Sequence, residues 1–321
     1  PVTHVELIKV LPDPPSLLHI EEDDPLLISY LLDCRADLSK QVDWEARETP
    51  LLRAAQRGFG GVMVELVHRS DLVGVDWVDN SGKSALHWAA CNGLALGCEA
   101  LILREDCPGL HWRDDTGKTA LHLAAVAGHL AVCAALEDLV DFSVLNERQE
   151  GGLNSLHLAA AGGHVDVCEM LLGREDFSEI NACDWIGGTA LHHAAGAGHV
   201  AVCKLLLACP RFTELGAVDC DGMTALHHAA QSGHVDVCEE LLARCDFLAV
   251  NLRRATTGET ALHLAVLHGC ASVCTALRRR SDFSAVDVRG LDSMTALHYA
   301  ALYGLAGCCR ALLSPEAGGQ S

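Results

Sequence analysis

The sequence predicts an all-α protein with β-hairpin loops, built as a solenoid of stacked antiparallel helix pairs. Three observations predict this fold class. A Thr-Ala-Leu-His-like motif recurs every 35 residues, with one interval of 36; a glycine follows each start by nine residues; and a second apolar segment follows each glycine. Self-similarity at such a period is typical of repeat architectures, whose units bury their apolar faces against their neighbours. We number the copies as repeats 1 to 8, beginning at Thr49, Ser84, Thr119, Asn154, Thr189, Thr224, Thr260 and Thr295.

Residues 1–48 precede this array and resemble a degenerate capping repeat. Leu31 and Leu32 occupy the positions of the leucine pair that ends a second helix, whereas Pro14 and Pro15 stand where Thr-Ala would. The acidic run at residues 21–24 is typical of a solvated helix start. We expect three parts: a capping segment at 1–48, the repeat array at 49–313 and a flexible tail at 314–321.

Within each repeat the pattern predicts a first helix that begins at the motif. The hydroxyl of a starting threonine can accept a hydrogen bond from a backbone N–H, and Pro50 fits the first helical position. Leu, Ala and Ala at two, five and six residues after the start form one apolar stripe. The glycine at nine residues predicts a left-handed residue that ends the helix. These glycines are Gly58, Gly93, Gly128, Gly163, Gly198, Gly233, Gly269 and Gly304.

A second helix follows, marked by Val-Cys and Leu-Leu pairs, and then a loop such as residues 174–188. We expect a short extended piece around Ile180 and a turn that ends at Gly187 and Gly188. Phenylalanines at one loop position are expected to pack the loop onto the helices, and preceding aspartates to cap their own turns. The phenylalanines are Phe142, Phe177, Phe212, Phe247 and Phe283; the aspartates are Asp71, Asp106, Asp141, Asp176, Asp246 and Asp282.

The charge of the chain limits the classes of partner. Forty-three acidic and 23 basic side chains give a formal charge of -20, which opposes binding to nucleic acid or anionic lipid. No uncharged apolar run approaches the ~18 residues of a membrane span. A partner attracted by long-range electrostatics should therefore be basic, and no membrane insertion or small-molecule substrate is indicated.

Sixteen cysteines are present, and their spacing argues against disulfides. Equivalent sites on stacked repeats lie about 8 to 10 Å apart, beyond the ~7 Å Cα limit for a disulfide. The sequence therefore predicts buried thiols in a reducing intracellular compartment, most simply the cytoplasm. The opening residues resemble neither a secretory signal nor a presequence, and removal of a segment before Pro1 stays open. Seven cysteines share one position, 14 residues after the repeat start: Cys98, Cys133, Cys168, Cys203, Cys238, Cys274 and Cys309.

The motif Thr-Ala-Leu-His-x-Ala-Ala-x-x-Gly-His, its leucine-rich second helix and its Val-Asn-x-x-Asp-x-x-Gly loop together resemble the ankyrin repeat. The resemblance covers residues 14 to 313. These repeats are two residues longer than the family's usual 33, and the difference lies in the loop after the second helix. The resemblance implies a curved solenoid whose concave face is formed by hairpin tips and first helices. It also implies protein recognition without catalysis.

Eighteen histidines raise the question of metal binding or catalysis. Most follow the motif leucine or the turn glycine, so we expect them to tie loops to helices or repeats to one another. No phosphate-binding glycine loop, nucleophile elbow or Cys-x-x-Cys is present, and no metal or other cofactor is expected. His193 and His228, which are extra to the pattern on neighbouring repeats, are the pair to inspect.

Apolar residues at hairpin tips and first-helix ends break the repeat pattern. The tip Trp185-Ile186 stands where two earlier repeats carry polar residues, at 115–118 and 80–83. Aromatic and methionine side chains commonly anchor interfaces, so we predict a partner-binding stripe. The alternative is that these side chains fold back onto adjacent loops. The predicted stripe comprises Leu153, Trp185, Ile186, Met223, Leu267, Leu291, Met294 and Tyr303.

Arginines cluster around repeat 7, where the period lengthens to 36. Arg278, Arg279 and Arg280 are the candidates for a partner contact, with an acidic peptide or phosphate as the ligand. A merely solvated face is the alternative for this cluster.

The last repeat, residues 298–313, holds one arginine and no acid, although the terminal repeat of a free solenoid needs a polar outer face. We therefore keep two functions open: a protein-binding scaffold or adaptor that uses its concave surface, and a permanent subunit of a larger assembly docked through this repeat. A pH-responsive accessory module is a weaker third.

Overall fold

A computed structural model describes residues 22–26, 48–104, 106–107, 110–138 and 144–314. These residues contain eight pairs of α-helices and two short 3-10 helices. The first helices of the pairs are α1 Pro50–Arg57, α3 Ala85–Cys91, α5 Ala120–Ala127, α7 Ser155–Gly162, α9 Ala190–Ala197, α11 Ala225–Gln231, α13 Ala261–Leu267 and α15 Ala296–Leu302. The second helices are α2 Gly60–Val67, α4 Ala95–Ile102, α6 Leu130–Asp138, α8 Val165–Gly173, α10 Val200–Ala208, α12 Val235–Ala243, α14 Ala271–Arg279 and α16 Ala306–Leu313. The 3-10 helices are Glu179–Asn181 and Ala249–Asn251.

The chain divides into two compact units, Pro1–Glu150 and Gly151–Ser321. In the first unit, α1, α3 and α5 pack in succession, as do α2, α4 and α6. In the second unit the odd-numbered helices α7 to α15 pack in one row and the even-numbered helices α8 to α16 in another. Each unit is thus a stack of helix pairs, and the predicted fold class is confirmed.

The first helices begin where the motif predicts, and a histidine completes the cap. In repeat 6 the Thr224 hydroxyl accepts from the backbone N–H of His227, and the Thr224 N–H donates to His227 Nδ1 at 3.2 Å. His227 Nε2 then donates to the carbonyl of Leu252 in the loop that ends the same repeat, at 3.1 Å. One side chain therefore both caps its own helix and ties a loop to it, which is one of the two roles expected for these histidines.

Each first helix is followed by a glycine in the left-handed region, as predicted. The eight glycines have φ between 65° and 81°, a conformation that L side chains rarely adopt. In repeat 5 the Gly198 N–H donates to Ala195, and the His199 N–H to Ala194. These bonds satisfy carbonyls at the end of α9 and turn the chain toward α10.

The core consists of the predicted stripe residues, thiols and phenylalanines. In repeat 5, Leu191, Ala194, Ala195 and Cys203 are all buried. Burial raises the pKa of Cys203 to about 12, so this thiol is uncharged at neutral pH.

Phe177, Phe212 and Phe247 are buried as predicted. Phe142 lies outside the described residues. Two predictions fail in part: Phe283 and Cys309 are only half-buried, whereas the neighbouring Cys308 is buried. Both lie near the end of the described array, where no further described repeat packs on them.

The loops differ from the prediction at one point. Ile180 lies in the 3-10 helix Glu179–Asn181 rather than in an extended piece. The hairpins close through single bonds, such as the Asp184 N–H to Gly188 carbonyl at 2.9 Å. The described residues include the isolated β-bridges Val78–Ser84, Arg253–Thr260 and Arg289–Thr295.

Four loop aspartates, Asp106, Asp176, Asp246 and Asp282, accept from their own backbone as predicted, and an arginine is a further partner. Each described member of the set accepts from an arginine two residues earlier; Arg174 reaches Asp176 at 2.8 Å, for example. The hydrogen bond from the arginine lowers the pKa of four of these carboxyl groups below the usual range: Asp106, Asp176, Asp246 and Asp282. The pairs are Arg69–Asp71, Arg104–Asp106, Arg174–Asp176, Arg244–Asp246 and Arg280–Asp282. Asp141 lies outside the described residues.

Most of the expected capping segment, including Leu31, Leu32, Pro14 and Pro15, lies outside the described residues, as does tail residue 315 onward. The boundaries after residues 48 and 313 therefore remain a proposal. Within the acidic run, the Asp23 carboxylate accepts from the N–H groups of Gly61 and Val62 and so caps α2. None of the helices in the described ranges is long and apolar enough to cross a membrane.

Candidate partner-binding surface

The hairpin tips of successive repeats are joined by single backbone hydrogen bonds. In the second unit the Trp185 N–H donates to the Gly151 carbonyl at 2.8 Å, and the Cys220 N–H to the Ile186 carbonyl at 2.7 Å. The Ala255 N–H continues the series to Asp221. These bonds hold the tips in register, so side chains at the tips are presented at fixed intervals.

One aspartate organises each of the two central hairpins. Asp184 Oδ1 accepts from the N–H groups of Ile186 and Gly188, at 2.9 and 2.8 Å. Asp219 Oδ1 accepts from the N–H groups of Asp221 and Met223, both at 2.9 Å. One carboxylate oxygen in each hairpin is therefore used by the turn, and Oδ2 is left for the first helix.

His193 and His228 form hydrogen bonds with that second oxygen. Each lies four residues after its repeat start, and its Nε2 is 2.8 Å from Oδ2 of the hairpin aspartate, Asp184 or Asp219. Burial alone would raise the pKa of Asp219, but the Met223 N–H and His228 lower it. Each pair therefore joins a hairpin to the first helix that follows it.

Repeat 2 contains the same arrangement with one addition. Trp88 takes the histidine position, and its Nε1 donates to Asp79 Oδ2 at 2.8 Å. Lys83 Nζ lies 4.6 Å from the centre of the Trp88 ring. The chain thus places its own cation over the aromatic–carboxylate pair in repeat 2.

A groove of about 330 Å³ lies between the central hairpins and first helices of the second unit. Ala161, Ile186, Gly196 and Ala197 provide its apolar lining, and the Asp184–His193 and Asp219–His228 pairs provide its polar lining. Ala161 and Gly196 lie seven residues after their repeat starts, where flanking repeats have Val126 and Gln231. Small side chains at this position create the groove, which we call the central groove.

Trp185 and Ile186 lie at the edge of the central groove. Trp185 is 77% exposed and Ile186 56% exposed. The Trp185 ring lies against Gly152 of the preceding hairpin, where a Cβ would be 2.6 Å from Cδ1. The alternative is that these side chains fold back onto adjacent loops. Only one edge of the Trp185 indole does so.

The other residues of the predicted stripe occupy different environments. Leu291 is 75% exposed, Leu267 and Tyr303 are exposed, and Leu153 and Met294 are half-buried. Met223 is 3% exposed and belongs to the core, because its backbone N–H and carbonyl close the hairpin over it. We therefore exclude the Met223 side chain from the partner surface.

The predicted arginine cluster is used largely inside the molecule. Arg280 donates to the carbonyls of Leu242 and Phe247 in repeat 6, at 3.0 and 2.9 Å, and pairs with Asp282; its side chain is 11% exposed. Arg278 donates to the Ala311 carbonyl at 3.0 Å. Arg279 alone of the three is exposed, so the structure does not bring the three guanidinium groups together as one patch.

The motif histidines are structural, and burial decides their charge. Burial lowers the pKa of each of four of them to about 4, since the charged ring would lose its hydration. They are His122, His157, His192 and His227. The His192 ring also meets the His228 ring edge-on, with centroids 5.5 Å apart. In the part of the chain that the structure describes, no group of three His, Cys, Asp or Glu side chains could hold a metal ion.

The sequence pattern indicates Trp185, Ile186 and the extra histidines as candidates, but it does not indicate the central groove itself. Its aspartates were hidden because Asp recurs in most hairpins. Gly196 gave a usable signal, since a helical glycine stands where other repeats carry larger side chains.

Comparison with known proteins gives a family and many similar solved structures. The family described as "Ankyrin repeats (3 copies)" matches residues 17–109, 97–184, 156–254 and 245–320. The crystal structure of the ankyrin repeat domain of Bcl-3, described as a unique member of the IkappaB protein family, is 26% identical in sequence. The match covers 68% of this chain and 94% of that chain, with a TM-score of 0.54. The comparison with curated proteins found no match.

Proposed function

Because this chain belongs to the ankyrin repeat family, whose repeats are general protein–protein interaction modules, we propose that it is a non-catalytic scaffold or adaptor. Its partner would bind along the hairpin tips and first helices of the second unit. The observation that carries the proposal is the exposed Trp185-Ile186 tip beside the central groove.

Two features support this surface over other parts of the chain. The repeated side chains are committed to caps, cores and bonds between repeats, so they cannot distinguish one partner from another. Trp185 and Ile186 instead replace polar tip residues and expose large apolar area, and such residues tend to dominate binding energy at interfaces. Leu267, Leu291 and Tyr303 extend the exposed apolar surface toward the last repeat.

The proposal includes an intracellular, reducing location, most simply the cytoplasm. Its support is the row of buried thiols at one position in each of repeats 2 to 7, where each thiol serves as a small apolar core residue. A basic or apolar docking surface on the partner is proposed as well, because the chain carries a formal charge of -20.

Replacing Trp185 and Ile186 together with serine should weaken partner binding by more than tenfold, because it removes the exposed anchors. The thermal unfolding midpoint should stay nearly unchanged, since neither side chain belongs to the core. Partners captured from source cells by the unaltered chain would be identified by mass spectrometry. Their affinities for both chains would then be measured by calorimetry.

The matched control is Leu248→Ser, which removes an equally exposed apolar side chain from a loop after a second helix. Captured partners should bind this variant as tightly as the unaltered chain. Equal binding of the Trp185/Ile186 variant would exclude this surface as the partner site.

A specific observation favours a second candidate function, that of a permanent subunit docked through repeat 8. In repeats 2 to 7, Nε2 of the motif histidine bonds to a carbonyl of the loop that ends its own repeat. In the described chain His298 has only its own Thr295 as a side-chain partner and is exposed, and the loop after the last helix lies outside the described residues. Leu302 and Leu313 are 65% and 66% exposed nearby. A partner would cover this apolar face.

If this second function holds, the chain should co-purify with a stoichiometric partner even in high salt. Leu302→Glu combined with Leu313→Glu should then release that partner, because both changes place charge in the apolar contact. Size-exclusion chromatography with light scattering measures the assembly. The Trp185/Ile186 serine variant serves as the control and should stay assembled, and a monodisperse monomer of the unaltered chain would contradict the second function.

A further inference from the structure

We propose that the central groove binds a basic side chain, lysine or arginine, of the protein partner, and that Trp185 and Ile186 contact an apolar residue beside it. This inference rests on the proposed function, since it specifies the chemistry of a partner at the same surface. It goes beyond that function in assigning the groove a ligand class.

The chain around the central groove carries a strong excess of negative charge. Residues 151–252 contain four basic side chains and thirteen acidic ones. All four bases are engaged near the second helices or their loops: Arg174 with Asp176, Lys204 with Glu240, Arg244 with Asp246, and Arg211 with backbone carbonyls. Among the described residues Asp184 and Asp219, whose side chains are only 5% and 7% exposed, pair with His193 and His228 and with no lysine or arginine. Arg254, which follows this range, pairs with Asp221 instead.

The polar lining of the central groove includes two aspartate–histidine pairs. Both pairs line the groove, and each aspartate Oδ2 has a histidine Nε2 at 2.8 Å. The turn N–H groups are already used by the other aspartate oxygen. A ligand rich in N–H donors, as an ammonium or guanidinium group is, complements such a lining.

Repeat 2 of the same chain already contains a cation beside the equivalent aspartate. In repeat 2, Lys83 lies over Trp88, whose Nε1 donates to the hairpin aspartate. Lys83 immediately precedes its repeat start, and the corresponding residues of repeats 5 and 6 are Gly188 and Met223. These two repeats keep the aspartate and an aromatic donor but lack the lysine. The partner would supply the cation that the chain itself supplies in repeat 2.

Gly196 allows a direct test of occupancy. A Cβ added at this helical glycine would lie 3.7 Å from His228 Cβ, an ordinary contact, so a larger side chain can enter the groove. Gly196→Arg should fill the groove with a cation of the chain's own. Gly173→Arg is the matched control, because Gly173 ends α8 and an added Cβ there meets nothing within 4 Å.

The probe is a peptide selected from a random phage-displayed library against the full chain, with affinity measured by calorimetry. We expect selected peptides to share a lysine or arginine next to an apolar residue. Replacing that arginine with citrulline, or that lysine with acetyl-lysine, should weaken binding at least tenfold. Gly196→Arg should weaken binding as much, as should Asp184→Asn combined with Asp219→Asn, whereas Gly173→Arg should bind like the unaltered chain.

The outcomes separate the two proposals. Peptides that require Trp185 but tolerate both the neutral replacement and Gly196→Arg would overturn the basic-ligand inference and keep the proposed function. Failure to select any peptide whose binding depends on Trp185 would overturn both.

Discussion

Lowering the pH from 7 to 5 should reduce the thermal unfolding midpoint of this protein steeply. The cause is the set of buried motif histidines, His122, His157, His192 and His227, whose pKa values burial lowers to about 4. For His122, His192 and His227, Nδ1 accepts the backbone N–H of the threonine cap and Nε2 donates to a carbonyl, so only the neutral ring fits the network. Protonation would set two N–H groups against each other.

The sign of the effect follows from linkage. An unfolded histidine has a pKa near 6.5 and takes up a proton as the pH falls below that value, whereas the folded ring stays neutral until about pH 4. Stability is therefore fully present above about pH 6.5 and is lost as the pH falls toward 4. Each histidine contributes on the order of 1 to 2 kcal/mol of this loss between pH 7 and 5. Four together give several kcal/mol.

Circular dichroism melts and denaturant titrations at closely spaced pH values measure this dependence. His227→Gln should reduce the slope of unfolding free energy against pH by up to about 1.4 kcal/mol per pH unit, because one proton-binding site is removed. His298→Gln is the matched control: the same motif position carries an exposed ring there, and the slope should stay nearly unchanged. A flat profile in the unaltered chain would contradict the account.

Gly198→Ala should destabilise the second unit by about 2 to 5 kcal/mol. Gly198 has φ of 81°, and an alanine in this conformation is strained by roughly 1 to 2 kcal/mol. Its Cβ would also lie 2.6 Å from His234 Nδ1, and displacing that ring adds roughly 1 to 3 kcal/mol of overpacking. The ring is not free to move, since its Nε2 donates to the Gly196 carbonyl at 3.1 Å. Urea unfolding measures the change.

Gly58→Ala isolates the backbone part of this effect. Gly58 occupies the same position in repeat 1 with φ of 78°, but nothing lies within 4 Å of its added Cβ. Its substitution should cost only about 1 to 2 kcal/mol. In the Gly198 variant, His234→Ala should recover part of the loss. Equal losses for the two alanine variants would show that the histidine contact contributes nothing.

Stability and partner binding depend on different parts of each repeat. The pH dependence tests histidines that tie a loop to the first helix of the same repeat, and the Gly198 effect tests a contact between neighbouring repeats. The partner surface uses side chains that these contacts leave over. A variant that loses binding at unchanged stability, or stability with binding retained below the unfolding midpoint, therefore assigns a residue to one role.

By itself the sequence determined the repeat phase, the helix caps, the left-handed glycines and the buried stripe. These features depend on neighbours within about ten residues, and their recurrence makes them visible as a pattern. Only the tertiary structure decided which side chains remain available. Met223 is buried, Arg280 is tied to carbonyls of repeat 6, Ile180 is helical, and Gly196 opens a groove beside two histidine–aspartate pairs. The physical reason is that each of these outcomes depends on packing and hydrogen bonds in folded loops or between adjacent repeats, and a one-dimensional pattern does not specify that geometry.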